Sequence, residues 1–413
     1  MGSTGIDKDR LWQRIADMAK IGATPKGGVR RLALTKEDKA SRELFIDWCK
    51  ALGCTIRIDA MGNIFARRAG IRNDLPAVLI GSHLDSQPTG GKYDGAYGVL
   101  AGLEVFETLN DLNLTTTFPL ELVSWTNEEG ARFAPAMLAS GVFAGVFSLE
   151  HAYTRVDKNG ITLGHALEDI GYKGPITTEE PQYYAALELH IEQGPILENI
   201  GKSVGIVTGV QGIRWYDLTI TGEETHAGPC PMELRKDPVQ KALQVLQQIY
   251  TSIREHGPEA RVTVGTINTV PGVRNTVPNK VTATVDIRHP DGETLDNMHQ
   301  ILHALVNDNN DTDGVHVQLD EIWNAPPVRF NEKCIEAVRD ATQTLNIPAL
   351  EMVSGAGHDA VYLSRVMPTS MIFIPCKDGI SHNENESIRI QDAADGTNVL
   401  LHAILHLNTT FNS

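Results

Sequence analysis

Residues 77–85 read Ala-Val-Leu-Ile-Gly-Ser-His-Leu-Asp: an apolar run without polar alternation that ends on a histidine and an aspartate. A strand with one wet face alternates polar and apolar residues, whereas an uninterrupted apolar run fits a strand covered on both faces of a largely parallel sheet. The pattern returns in PLELVSW (119–125), AALELHI (185–191) and SMIFIPC (370–376), each followed by a polar cluster. Helical runs lie between them. Further upstream, LWQRIADMAKI (11–21) and SRELFIDWCKALG (41–53) carry apolar residues at helical spacing and flank a glycine-rich loop. The expected fold is therefore α/β, a mostly parallel sheet with helices on both faces.

Between 212 and 328 the pattern changes. WYDLTITG (215–222), a helix from Pro238 to about His256, RVTVGTINTV (261–270), NKVTATVDIR (279–288), a helix from about Glu293 to Val306, and GVHVQLDEIW (314–323) follow in the order βαββαβ. That is the ferredoxin-like arrangement. It predicts a smaller domain over 212–328, inserted into a discontinuous domain made of 1–211 and 329–413. A length of 413 residues suits two domains.

The formal charge of -16 repels nucleic acid and anionic membrane surfaces at long range, so neither is expected as a partner. The five cysteines, Cys49, Cys54, Cys230, Cys334 and Cys376, form no CxxC pair and fit reduced thiols packed in the interior of an intracellular protein. The opening MGSTGIDKDR lacks the apolar stretch of a secretory signal, and no segment approaches the ~20 apolar residues of a membrane span. The expected location is the cytoplasm.

Open α/β sheets bind ligands beyond the carboxyl ends of their strands, and the polar clusters fall there. His83 ends the first run. Asp85, two residues on, would share its side of the strand and could hold the imidazole in the tautomer that binds metal. The small-residue segment QPTGGKYDG delivers Asp94 to the same mouth; PLELVSW leads to the adjacent acids Glu128 and Glu129. Neighbouring buried carboxylates repel unless a cation or a shared proton compensates. AALELHI brings His190, followed by Gln193, and SMIFIPC leads to His382 in SHNENE. Histidines with carboxylates suit zinc first, and manganese, cobalt or nickel also. His83, Asp94, Glu129, His190 and His382 are too many ligands for one catalytic zinc, so two divalent ions are expected. We expect His83 and His190 on one ion, Glu129 and His382 on the other, and Asp94 between them, although spacing alone does not fix which ion each serves.

Together GSHLDS, GGKYDG, TNEEGARF, HIEQGP, THAGP and SHNE resemble the N-carbamoyl-L-amino-acid hydrolase, β-ureidopropionase and allantoate amidohydrolase branch of the dinuclear metallopeptidase superfamily, in order and over nearly the whole chain. The resemblance implies Glu129 as a metal ligand and Glu128 as the general base. It implies a lid domain that mediates homodimerisation, with His226 as oxyanion donor, supplied in related enzymes by the partner subunit. It also implies that Arg288 grips a substrate carboxylate with Asn275 assisting, and that Gln193 and His358 meet the substrate. The gap from His83 to Asp94 is 94 − 83 = 11 residues, shorter than in the peptidase and aminoacylase relatives, many of which carry an acid at the position of His190. Both differences favour a small carbamoyl or ureido substrate over a peptide. The expected reaction releases a free amino acid, carbon dioxide and ammonia from an N-carbamoyl-L-amino acid or N-carbamoyl-β-alanine. Allantoate hydrolysis is the alternative within this chemistry; an aminoacylase or dipeptidase, or a non-catalytic binding protein of the same fold, lies outside it. His151, His165, His256, His289 and His402 have no comparable setting and are expected to be structural or solvated.

Overall fold

The computed structural model describes residues 5–176, 182–311 and 313–409. It divides into two compact units, Met1–Thr208 with Arg329–Ser413, and Gly209–Val328.

The first unit is built on a nine-stranded sheet. Its centre is four parallel strands, Leu120–Trp125, Ala77–His83, Tyr183–Ile191 and Thr369–Ile374, side by side in that order. They are the four apolar runs of the sequence, and Ala77–His83, Leu120–Trp125 and Thr369–Ile374 are buried at every position. The flanks are antiparallel: Ile64–Arg68 runs against Leu120–Trp125 on one side, and Val204–Val210 against Thr369–Ile374 on the other. The sheet is thus parallel where both faces are covered and antiparallel toward its edges.

Helices cover both faces. On one, Ala96–Asp111 packs on the central strands, so closely that a Cβ at Gly102 would sit 2.5 Å from Leu122 Cδ1. The terminal helix Ile390–Thr409 packs beside it and on Thr369–Ile374. On the other face Phe65, Leu79, Val123, Trp125 and Ala186 meet Leu363 of the short helix Asp359–Leu363, together with Met367. Removing the fully buried Trp125 side chain would cost about 3–5 kcal/mol. The upstream helices are Lys8–Met18 and Lys36–Ala51, and both begin before the apolar runs that signalled them. Asp7 and Thr35 accept backbone N–H groups at their first turns, so the helices start at the caps.

In the second unit, His316–Ala325, Gly212–Thr221, Lys280–His289 and Arg261–Val270 lie in that order in an antiparallel sheet. Helices Pro238–Arg254 and Gly292–Asn309 close its core. This is the βαββαβ order read from sequence, and burial alternates along Lys280–His289 because one face is covered. Asp237 and Asp291 cap the two helices. A two-stranded ribbon, Thr225–His226 with Thr276–Val277, was not expected. Among the described residues no helix is long and apolar enough to cross a membrane.

Candidate metal centre

Each cluster residue sits at the carboxyl end of a central strand or in the segment that follows it. His83 ends Ala77–His83, and His190 is the penultimate residue of Tyr183–Ile191. Glu128 and Glu129 follow Leu120–Trp125, Asp94 precedes the helix Ala96–Asp111, and His382 follows Thr369–Ile374. Asp94 is the point of convergence. Its Oδ1 lies 3.1 Å from His190 Nε2 and 3.7 Å from His83 Nε2; its Oδ2 lies 3.3 Å from His382 Nε2, which is itself 3.3 Å from Glu129 Oε2. The two carboxylate oxygens thus face two separate groups, His83 with His190 and Glu129 with His382, and both groups have the donor types and closeness that hold a metal ion. Ligand atoms about 2.1 Å from a tetrahedral ion lie about 3.4 Å apart, so these separations fit a cation at each side of Asp94.

Backbone makes room for this approach. Gly95 has φ +63°, and a Cβ there would fall 2.3 Å from the His83 ring. Its N–H is directed at His190 Nε2, 3.1 Å away. The rings of His83 and His190 spend Nδ1 on backbone carbonyls, those of Asp85 and Ile191, each at 2.9 Å, which turns both Nε2 atoms toward Asp94. Here the expected role of Asp85 is corrected. The strand stops at His83, so the two-residue repeat does not carry to Asp85, whose carboxylate lies 3.9 Å from His83 Nδ1. That carboxylate instead accepts the backbone N–H groups of Glu128 and Glu129 at 3.2 and 3.3 Å, fixing the turn that presents both acids.

The electrostatics are those of buried carboxylates in excess. Burial, with Asp94 repelling, pushes Glu129 up to about 8, and burial with the nearby Asp359 raises Glu128 well above the usual range. Burial, reinforced by Asp38, lifts Asp85 to about 7. Burial lowers His83 to about 4. It works against charge on His190 as well, but the hydrogen bond and charge of Asp94 prevail and raise His190 to about 9; the Asp94 hydrogen bond lifts His382 to about 9. Asp94, although buried, is held well below the carboxylate range by these histidines. Without a cation, protons must neutralise such a cluster; a divalent ion at each side of Asp94 would do so more fully.

Residues 79–406 match the peptidase family M20/M25/M40. The chain belongs to that family. This M20-family chain is 45% identical over 400 residues to an N-carbamoyl-L-amino-acid amidohydrolase of Rhizobium meliloti, covering 97% of this chain and 96% of that protein. It is 36% identical over 381 residues to an allantoate amidohydrolase of Bacillus subtilis (strain 168), covering 92% of each. A crystal structure of a hydantoinase/carbamoylase family amidase from Burkholderia multivorans superposes with a TM-score of 0.95 at 51% identity, covering 98% of both chains. The branch to which the motifs pointed is the one in which these relatives fall.

Other expected residues of the M20-family chain are placed as follows. Gln193, at φ +58°, donates from Nε2 to Asp94 Oδ2 at 3.0 Å, so it faces the cluster. His358 is buried, with Nε2 3.1 Å from Ser354 Oγ and its ring edge-on to His190 at 4.6 Å, where it supports that ring. His226 lies on the ribbon of the second unit and Asn275 just before its other strand; both are exposed, and the Ala227 N–H, next to His226, donates to the Asn275 carbonyl at 2.9 Å. Arg288 is not presented as an open fork: Asp286, two residues back on the same strand, accepts from Nε at 2.9 Å and from Nη2 at 2.7 Å. A strand neighbour on the same face is the reason.

Sequence reading missed several supports. Gln87 donates to both oxygens of Glu129, from its backbone N–H at 3.1 Å and its side chain at 2.7 Å. Glu188 accepts from Ser82 Oγ and the Ala360 N–H behind His190. Glu386 and Ser381 hold the Asp94 loop. Glu188 sits two residues before His190 in AALELHI, where an acid inside an apolar strand was the available signal.

Proposed function

We propose that this chain is a dinuclear-metal amidohydrolase that cleaves the carbamoyl amide of N-carbamoyl-L-amino acids, or of N-carbamoyl-β-alanine, to the free amino acid, carbon dioxide and ammonia. The observation that carries this reading is the division of Asp94 between two groups of histidine and carboxylate donors, His83 with His190 and His382 with Glu129. Those residues would hold two divalent ions, zinc first and manganese, cobalt or nickel as alternatives, which supply a nucleophilic water and polarise the ureido carbonyl. Glu128 would take the proton of the attacking water and deliver it to the departing nitrogen. Its Oε2 stands 3.4 Å from His83 Nε2, beside the donors without belonging to either group of three. Keeping the base apart from the ligands lets one side chain hand protons on while the others stay fixed.

On the second unit His226 would donate to the oxyanion, and Arg288, exchanging Asp286 for substrate, would bind the α-carboxylate with Asn275. Gln193 and His358 would line the ureido end. The relatives' names support carbamoyl chemistry, and the allantoate amidohydrolase of Bacillus subtilis (strain 168), at 36% identity, supports allantoate as the second substrate to test. A homodimer formed through the second unit and a cytoplasmic location complete the proposal.

The test is ammonia release from stripped enzyme reloaded with each metal, against N-carbamoyl-L-amino acids, N-carbamoyl-β-alanine, allantoate, an N-acyl amino acid and a dipeptide. Turnover confined to the carbamoyl compounds is expected. Preference for the acyl compound or dipeptide by tenfold or more would replace this reading with an aminoacylase or dipeptidase.

A further inference from the structure

Two loops meet at Asp94 Oδ2, and one carboxylate ties them together. Glu386 Oε1 accepts the backbone N–H groups of Tyr93 at 2.9 Å and Asp94 at 3.1 Å, while its Oε2 accepts from Ser381 Oγ at 3.0 Å. Ser381 Oγ also lies 3.1 Å from Asp94 Oδ2 and precedes His382. The serine has one proton for two carboxylates, so Glu386 decides how much of it Asp94 Oδ2 receives. The pocket is shaped for this acid. A Cβ at Gly91 would stand 2.1 Å from Glu386 Cδ, so the glycine leaves room for the carboxylate, and Glu386 is only 5% exposed.

We propose that Glu386, acting with Ser381, is a positioning residue that sets the Asp94 Oδ2, Glu129 and His382 group for its metal ion. This rests on the dinuclear reading above. The two sides of Asp94 differ in how they are held. His83 and His190 are fixed at the ends of buried strands, 1% exposed each, with Nδ1 of both rings tied to backbone. Glu129, Asp94 and His382 all come from loops, and the His382 side chain is 50% exposed at φ +54°. A ligand group assembled from loops depends on hydrogen bonds for its geometry, and losing such a support typically costs 10–100-fold in metal affinity. Glu386 supplies two such bonds to the backbone at Asp94 and one to the residue before His382.

The experiment titrates the metal-free full-length chain with Co2+, following the visible d–d bands and the heat of binding, in the parent and in Glu386→Ala, Glu386→Gln and Ser381→Ala. Two Co2+ ions per parent chain are expected. Glu386→Ala should weaken the second ion about 10–100-fold and alter its d–d bands, with the first ion within about threefold of the parent. Glu386→Gln keeps an oxygen for both amides and should restore the second ion to within about fivefold. Ser381→Ala, which removes one hydroxyl and leaves the carboxylate, keeps the test open should Glu386→Ala fail to fold; it should also weaken the second ion selectively. Two ions in the parent with an unchanged second dissociation constant and spectrum in Ser381→Ala and, where it folds, in Glu386→Ala would overturn the clamp alone. Equal weakening of both ions would overturn its selectivity, and fewer than two ions in the parent would overturn the dinuclear reading and the clamp with it.

Discussion

Replacing Glu128 with Gln separates proton transfer from metal binding. The side chain is buried, and burial together with Asp359, Glu129, Asp85 and Asp94 raises its carboxyl well above the usual range. An amide of the same shape therefore removes repulsion from the site. The backbone that presents it is anchored independently, by the Glu128 N–H to Asp85 Oδ1 at 3.2 Å and by the Met137 N–H to the Glu128 carbonyl at 2.6 Å. Fold and ion count should survive. What is lost is the group that moves the proton, worth typically 10²–10⁴ in rate, or about 2.7–5.5 kcal/mol of barrier. The assay is kcat on the best carbamoyl substrate with bound metal counted by elemental analysis on the same sample. A fall in kcat of about 10²–10⁴ with two ions retained and KM within about threefold is expected. Turnover within threefold of the parent would remove Glu128 as the base, and loss of an ion would show that base and ligand roles are not separable.

Gly95→Ala places a Cβ 2.3 Å from the His83 ring at a φ of +63°, so backbone strain and overpacking together should cost about 2–6 kcal/mol; urea denaturation that shows no loss would contradict the crowded approach. In metal-free protein, Glu129 at about 8 and Asp85 at about 7 lie above their ordinary values, as do His190 and His382 at about 9. All four then bind protons more tightly when folded, and the stability they contribute is lost as pH rises from about 4 to 9. His83, lowered to about 4, has the opposite sign, but its penalty is gone above about pH 6.5. The Tm of chelator-treated protein should therefore fall between pH 6.5 and 9 and recover with added Zn2+; a flat or rising Tm in chelator would contradict this assignment. Arg288→Lys removes the fork that Asp286 now occupies, and KM for carboxylate-bearing substrates should rise about tenfold or more, as one charge-assisted bond is lost. An unchanged KM would exclude Arg288 from the carboxylate site.

Much of this was legible because burial writes itself into composition. A strand covered on both faces has few polar positions, so AVLIGSH, PLELVSW, AALELHI and SMIFIPC stood out, and the candidate metal centre lies at their carboxyl ends. The period of two in Lys280–His289 and the helical runs beside it gave the second unit in the same way. The reading failed where local geometry departs from period. Asp85 was placed by extrapolating a strand that ends at His83, so its hold on the Glu128 and Glu129 amides was invisible. Glu386 lies 386 − 94 = 292 residues from the amide it fixes, and nothing in its neighbourhood announces a partner so remote. The pairing of Arg288 with Asp286 is a local fact of the DIR segment, overshadowed by the role that the family resemblance implies for the arginine.

The most direct measurement is crystallographic anomalous density at the absorption edge of the loaded metal, with elemental analysis of the same preparation. Two ions per chain are expected, about 3.5–4 Å apart, one against His83 and His190, the other against Glu129 and His382, with Asp94 touching both. A single ion, or peaks that leave Asp94 without contact to either, would contradict the account.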